Sequence, residues 1–349
     1  MFGNTLSDYK IISVLGKQNG KFCTVYMGKC GSPNYSIAIK KLCLEKTEDK
    51  ELQNISDEII LTRQFRHPNI NSILHSFVCN SDVYIITPFM WFRSCEDLLE
   101  NLFPTGFSEP LIALILRDVL AALIYIHKNG IIHGSIKAGH ILLDKKKAVL
   151  TCFRESRCFI NHGKNSFVIR GISSGHKDII NWTAPEVLDQ NLNGFTEKCD
   201  LYSIGIACCE IANGIKPYSE AQPTFMFTEK TRGNVPSLLD QSTCFHLMEE
   251  EGTIQFGTLT RKHEIYSQRI FSDEMHQFAE ICLNRNPLNR WSAEKSITHS
   301  FFKQCRYTSI SDQLQYTVLN LQDPFKIEDG ALENTEESKN RFEDEPWDF

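Results

Sequence analysis

The chain has 349 residues and a mass of 40.0 kDa, enough for one large domain or two modest ones. Its 42% hydrophobic and 23% charged residues exclude general disorder, and a net charge of −6 gives no basic footprint for a nucleic-acid partner. Thirteen cysteines, an odd number without a CxxC pair, and the lack of a basic-then-apolar leader point to reduced thiols in cytosol or nucleus, with no disulfide framework and no structural zinc.

In chain order, residues 9–90 predict a strand-rich unit. Tyr9 to Leu15 runs up to Gly16, and Thr24–Met27 and Ser36–Lys40 follow as further strands. A helical stretch near Leu52 to Phe65 interrupts them, before strands at Ile73–Phe77 and Val83–Ile86. The pattern then turns helical across a seam at Thr87 to Trp91, and residues 91–304 predict a larger helical unit. Leu111 to Ile126 is the longest apolar stretch. Arg117 and Asp118 break it and Gly130 stops it, so it is expected to be a buried helix, with no insertion into a membrane. Ile141–Leu143 and Ala148–Leu150 predict a hairpin across a lysine turn. Residues 305–349 read as an acidic, disordered tail: from Asp323 onward ten acids face three bases, so the tail carries −7 and the rest of the chain about +1. The tail closes on Trp347, Asp348 and Phe349, two aromatics that would anchor well in a partner's pockets.

These landmarks, in this order, resemble the protein-kinase signature set over residues 9 to 302. Ile37-Ala38-Ile39-Lys40 matches VAIK, and Glu58 matches the acidic partner of that lysine. His67-Pro68-Asn69-Ile70 precedes the fourth strand. His133 to His140 lies where HRDLKxxN belongs, with Lys137 in the lysine position. Ala184-Pro185-Glu186 is the APE segment, Asp200 opens the DxWSxG helix, and Arg290 matches the arginine that pairs with the APE glutamate. The resemblance implies an α+β, bilobal kinase-like fold: a small five-stranded lobe with one helix, and a larger helical lobe.

The chemistry of phosphoryl transfer is missing from that frame. The reaction needs a carboxylate to orient the substrate hydroxyl, plus an aspartate and an asparagine to hold magnesium. Ser135 stands at the first position and His140, a poor ligand for a hard ion, at the asparagine position. At the DFG position either Cys152-Phe153-Arg154 or, without a gap, Phe153-Arg154-Glu155 applies; the first keeps Phe153 in the aromatic place. The phosphate loop from Gly16 to Val25 is stretched, with bulk at Gln18 and Phe22. Losing a positioned base costs on the order of 10²- to 10⁴-fold, and losing the metals costs several kcal/mol more. The expectation is a pseudokinase with no catalytic residue and no metal. Nucleotide could still bind: Val25, Ala38 and Leu142 would hold adenine, Pro88, Phe89 and Met90 its edge, and Lys40, Lys137 and Arg154 would replace the charge of magnesium. ATP binding without magnesium is therefore expected.

The HxSxKxxH loop, the ten-residue phosphate loop, Phe225 to Asp240, His299 to Gln304 and the terminal Trp-acidic-Phe are similar to the STE20-related adaptor (STRAD) pseudokinases. That resemblance implies an allosteric activator of a client serine/threonine kinase, liver kinase B. A helical-repeat scaffold of the mouse-protein-25 family would grip Trp347 and Phe349, and the site of action would be the cytoplasm, with shuttling to the nucleus. Gly134, in place of the usual arginine, and Thr62, in an apolar spine position, depart from the pattern, and 243–269 has no match. Two rivals stay open: a divergent active kinase using Asp144 or Glu155, and a pure scaffold that binds no nucleotide.

Overall fold

The computed structural model describes residues 2–17, 23–31, 35–47, 49–158, 160–161, 164–165, 179–189, 194–219, 221–243 and 264–318. Five strands form the small lobe: β1 (Lys10–Lys17), β2 (Cys23–Cys30), β3 (Tyr35–Cys43), β4 (His75–Cys79) and β5 (Asp82–Pro88). They make one antiparallel sheet in the order β1-β2-β3-β5-β4, and α1 (Asp49–Thr62) crosses between β3 and β4. Helix α1 begins and ends three residues earlier than its apolar spacing suggested, because Asp49 and Glu51 suit its positive N-terminal end.

The period of two along β3 and β5 decides which residues can reach a site. Ile37, Ile39, Tyr84 and Ile86 face outward and pack with Tyr9 and Phe77. Leu42, Val83 and Ile85 face the other way, where they pack with Cys23 and with Ile55 of α1. Ala38 and Lys40, in register with Thr87 and Ile85, share that inner side and face the large lobe.

Helix α3 (Glu109–Lys128) is the axis of the large lobe. Ser108 precedes it, Pro110 sits in its first turn, and Gly130 at φ 73° ends it. It is apolar on nearly every side, and residues from Leu111 to Ile126 are buried within the lobe. That burial answers the membrane question: its apolar surface is covered by protein. Helix α5 (Lys198–Asn213) packs against the helix Asp273–Leu283. Gly205 permits that approach, since a Cβ there would lie 2.7 Å from a Leu283 carbon. Two short pairs complete the face toward the small lobe: β6 (Ile131–Ile132) with β9 (Arg157–Cys158), and β7 (Ile141–Leu143) with β8 (Ala148–Leu150).

The packed lobe runs further than residue 304. Cys305, Ile310 and Leu314 are buried in its core, and Ile310–Val318 is helical. The boundary expected at 304 therefore falls too early. Acidic composition rises only after this last apolar helix, so the composition shift marks a different point from the end of packing. Trp347, Asp348 and Phe349 lie outside the described residues, as do 244–263 of the unmatched segment. The described end of that segment is firmly held: Arg269 donates to the carbonyls of Leu239, Thr105 and Ala212, and Tyr266 donates to that of Asn213.

One buried ion pair ties the lower lobe together. The Arg290 guanidinium donates to both oxygens of Glu186, at 2.6 and 2.8 Å, and to the carbonyls of Asn284, Lys198 and Arg285. Its side chain is 0% exposed and that of Glu186 is 9% exposed. Removing one partner strands a charge in the core, which costs about 3–5 kcal/mol. Arg290→Met should therefore lower the unfolding free energy by about that amount in a urea titration, whereas an exposed control such as Arg306→Met should change it little.

Candidate functional site

Between the lobes lies a cleft of about 380 Å³. Its upper wall is the inner side of the sheet, with Gly16, Cys23, Val25, Ala38 and Lys40. Its lower wall is Leu142 on β7 with Lys137, Gly139 and His140, and its back is Pro88, Phe89 and Met90 at the lobe junction. Glu58 and Phe153 close the inner end. Ten of the eleven residues expected around a nucleotide, with Gly16 of the phosphate loop and Glu58 counted among them, thus line one cavity. The exception is Arg154.

Arg154 is drawn away by two acids on one face of α1, seven residues apart. It contacts Glu51 at 3.0 Å and Glu58 at 3.9 Å. Glu58 also accepts a 2.9 Å hydrogen bond from the backbone N–H of Phe153. The expected Lys40–Glu58 ion pair is not formed: among the described residues Lys40 makes no ion pair within 4.0 Å. Burial is the largest single influence on Lys40 and opposes its charge, but Glu58 and the other neighbours together hold the ammonium above its ordinary range. Lys40 therefore remains charged, beside the cavity, with its donors uncommitted among the described residues. Lys137 is the second cleft lysine; its ammonium lies 5.3 Å from the Trp182 ring.

Phe153 fixes the register of the next segment. Its ring is buried, 5.0 Å from Phe65 and 4.7 Å from His133. Cys152 precedes it at φ 67°, lining the cleft where the reading Cys152-Phe153-Arg154 puts a metal ligand in active kinases. Burial pushes its thiol up, so it is a neutral small side chain rather than a nucleophile.

The other degenerate positions are bonded inward. Ser135 is 2% exposed, and its hydroxyl donates to the carbonyl of Cys152 at 3.1 Å. His140 Nδ1 donates to the Ser135 carbonyl at 2.5 Å, and His133 Nε2 donates to the Thr151 carbonyl at 3.1 Å. Burial drives both imidazoles down to about 4, so both are neutral at physiological pH. His140 consequently supplies no positive charge. Gly134 has φ 77°, and a Cβ there would lie 2.8 Å from the Glu155 carbonyl, so the usual arginine would be strained at this point.

Besides Glu58, two carboxylates line the cleft, and both are occupied. Glu96 pairs with Lys216 at 2.6 Å, and Asp97 caps α2 (Cys95–Asn101) through Ser94. Neither of the two acids named for a rearranged catalytic site, Asp144 and Glu155, lines the cavity. Asp200 is a scaffold residue: it is 0% exposed and accepts from the His133 and Gly134 N–H groups at 2.9 and 2.8 Å.

A protein kinase domain matches residues 9–302. STE20-related kinase adapter protein alpha of Homo sapiens is 34% identical over 318 residues, 85% of this chain and 73% of the relative. The alpha protein of Gallus gallus is 32% identical over 86% of this chain and 82% of its own length, and the beta protein of Homo sapiens 31% identical over 91% and 79%. The chain belongs to the STE20-related kinase adapter family.

Sequence reasoning missed three site-supporting residues. Lys230, on α6 (Pro223–Arg232), is wholly buried and donates to the carbonyls of Ile180, Asn181 and Thr183 at 3.1, 2.7 and 2.8 Å, pinning the backbone before Pro185. Glu210, pushed up to about 7 by burial, accepts from Ala138 N–H and Trp182 Nε1. Arg93 follows the lobe junction and lines the cleft. A lysine inside an apolar helix face was the one available signal; the other two depend on contacts distant in sequence.

The buried histidines make stability depend on pH. Their folded values near 4 lie below the ordinary 6.5, so their neutral state favours the fold above about pH 6.5, and that contribution is lost as pH falls toward 4. Glu210 acts oppositely, since its raised value favours the fold as pH drops from about 7 toward 4.5. Two groups outweigh one, so Tm should fall between pH 6.5 and 4.5. His140→Asn should flatten that fall, and an unchanged slope in a Tm–pH series would refute the assignment.

Proposed function

We propose that this chain is a catalytically inactive adapter. It activates a client serine/threonine kinase of the liver kinase B type, in a complex with a helical-repeat scaffold of the mouse-protein-25 family, and holds ATP without magnesium. One observation carries the reading: the cleft keeps its apolar slot and two lysines, while the side chains at the three chemical positions are neutral. Ser135 and His140 are further committed to internal bonds. A hydroxyl spent on a carbonyl does not orient an attacking group, and a neutral thiol and a neutral imidazole do not assemble a magnesium site.

The donor set suits a nucleotide. Val25, Ala38 and Leu142 are apolar and flank the slot; Phe89 and Met90 offer backbone to a base edge, and Lys40 and Lys137 offer ammonium groups to phosphates. Arg154 takes no part in this arrangement. Its partners Glu51 and Glu58 join α1 to the segment after β8, so it holds the lobes together. This contact also supports a second reading, in which the closed lobes need no ligand.

The deciding assay mixes purified client kinase with scaffold and measures phosphorylation of a client-specific peptide, with and without this chain. A rise is expected only with chain and scaffold together, and none from the chain alone; incorporation by the chain alone would overturn the inactive assignment. In thermal-shift measurements, millimolar ATP should raise Tm equally with and without EDTA by linkage, and Lys40→Met should abolish the rise. No rise in the wild-type chain would favour the ligand-free reading.

A further inference from the structure

Arg93 sits in a conformation that only glycine adopts freely. Its φ is 61°, in the left-handed region, at the turn between the lobe junction and α2. Strain of this kind persists where surrounding contacts hold it, and here the contacts run to both lobes. The guanidinium donates to the carbonyl of Leu15 on β1, 78 residues away in sequence. The same Nη2 lies 3.4 Å from Oδ1 of Asp97, whose other oxygen accepts from the Ser94 hydroxyl.

The carbonyl it reaches is a special one. The β1–β2 register pairs Val14 with Tyr26 and Gly16 with Val25, which leaves Leu15 as the extra residue of a bulge without a partner on β2. The bulge frees a backbone group at the cleft mouth, and Arg93 takes it. The guanidinium passes beside Gly16, where a Cβ would sit 3.7 Å from Arg93 Nη2, an ordinary contact distance. Leu15, Gly16, Arg93 and Asp97 all line the cleft. The Arg93 side chain is 42% exposed, so its pairing with Asp97 alone would contribute little. Its effect comes from crossing between lobes at a point where β1 has no ladder bond.

We propose that Arg93 is a strap that ties β1 to the lobe junction and sets the width of the nucleotide cleft's mouth before any ligand arrives. The nucleotide part rests on the reading given under Proposed function. A strap of this kind preorganises the apolar slot and slows exit of a bound nucleotide, because β1 must first be released. Arg93 is a positioning residue.

The test compares the full-length wild-type chain with Arg93→Gly and Arg93→Lys. Glycine suits φ 61°, so the first variant removes the guanidinium without disturbing the turn. Two quantities are read: amide hydrogen exchange of residues 11–17 without ligand, and dissociation of a fluorescent N-methylanthraniloyl-ATP chased with unlabelled ATP. Loss of one charge-assisted bond should speed both by about tenfold in Arg93→Gly, with Arg93→Lys in between. Unchanged β1 exchange and unchanged dissociation would overturn the strap. If the probe fails to bind even the wild-type chain, the nucleotide reading fails, while the exchange measurement still decides whether Arg93 holds β1.

Discussion

The carboxylate of Glu58 is the constraint on which the arrangement of the cleft depends. It stands on the small lobe's helix, yet it accepts from the Phe153 backbone and lies beside Arg154, both from the large lobe's side of the cleft. The bond to a backbone N–H places Phe153 so that its ring fills the space between Phe65 and His133. That ring in turn covers His133, whose backbone N–H is held by Asp200 on α5. A chain of directed bonds thus runs from α1 to the centre of the large lobe. Among the described residues Glu58 makes these contacts with the Phe153–Arg154 segment and no ion pair within 4.0 Å with Lys40.

The same economy governs the polar groups below. A buried hydroxyl or imidazole must find a partner, because an unpaired one costs roughly 1–3 kcal/mol. Ser135, His140 and His133 find theirs in the carbonyls of Cys152, Ser135 and Thr151. Their neutrality follows from burial, since the local dielectric penalises charge and no carboxylate is near enough to reverse it. Positive charge persists on the two lysines, on Arg93 at the cleft mouth and on Arg154, and Arg154 is turned toward α1.

Much of the fold was legible. The alternating Ile37, Ile39 and the apolar run of α3 announce sheet and core helix through their periods, and Glu186 with Arg290 marks the lower lobe's buried pair. Ten of the eleven residues expected in the cleft do line it, because the strand period and the motif order together decide which side chains face inward. The partner of Glu58 was not, since Lys40 and Arg154 are equally basic in sequence and the choice depends on Glu51, one more acid two turns away on α1. Nor was the end of the large lobe, where burial of Ile310 and Leu314 outweighs the polar character around them.

By itself the sequence determined the lobe order, the family resemblance and the presence of Ser135, His140 and Cys152 along the cleft-lining segments, all of which are matters of residue type and spacing. Only the tertiary structure decided how the remaining charges are paired and where β1 is fastened. Arg93, Leu15 and Asp97 acquire their relation from a bulge, a left-handed turn and a helix cap that meet at one edge of the cleft. Electrostatic and hydrogen-bonding choices fall off within a few ångströms, so they follow distances that the linear order of residues does not contain.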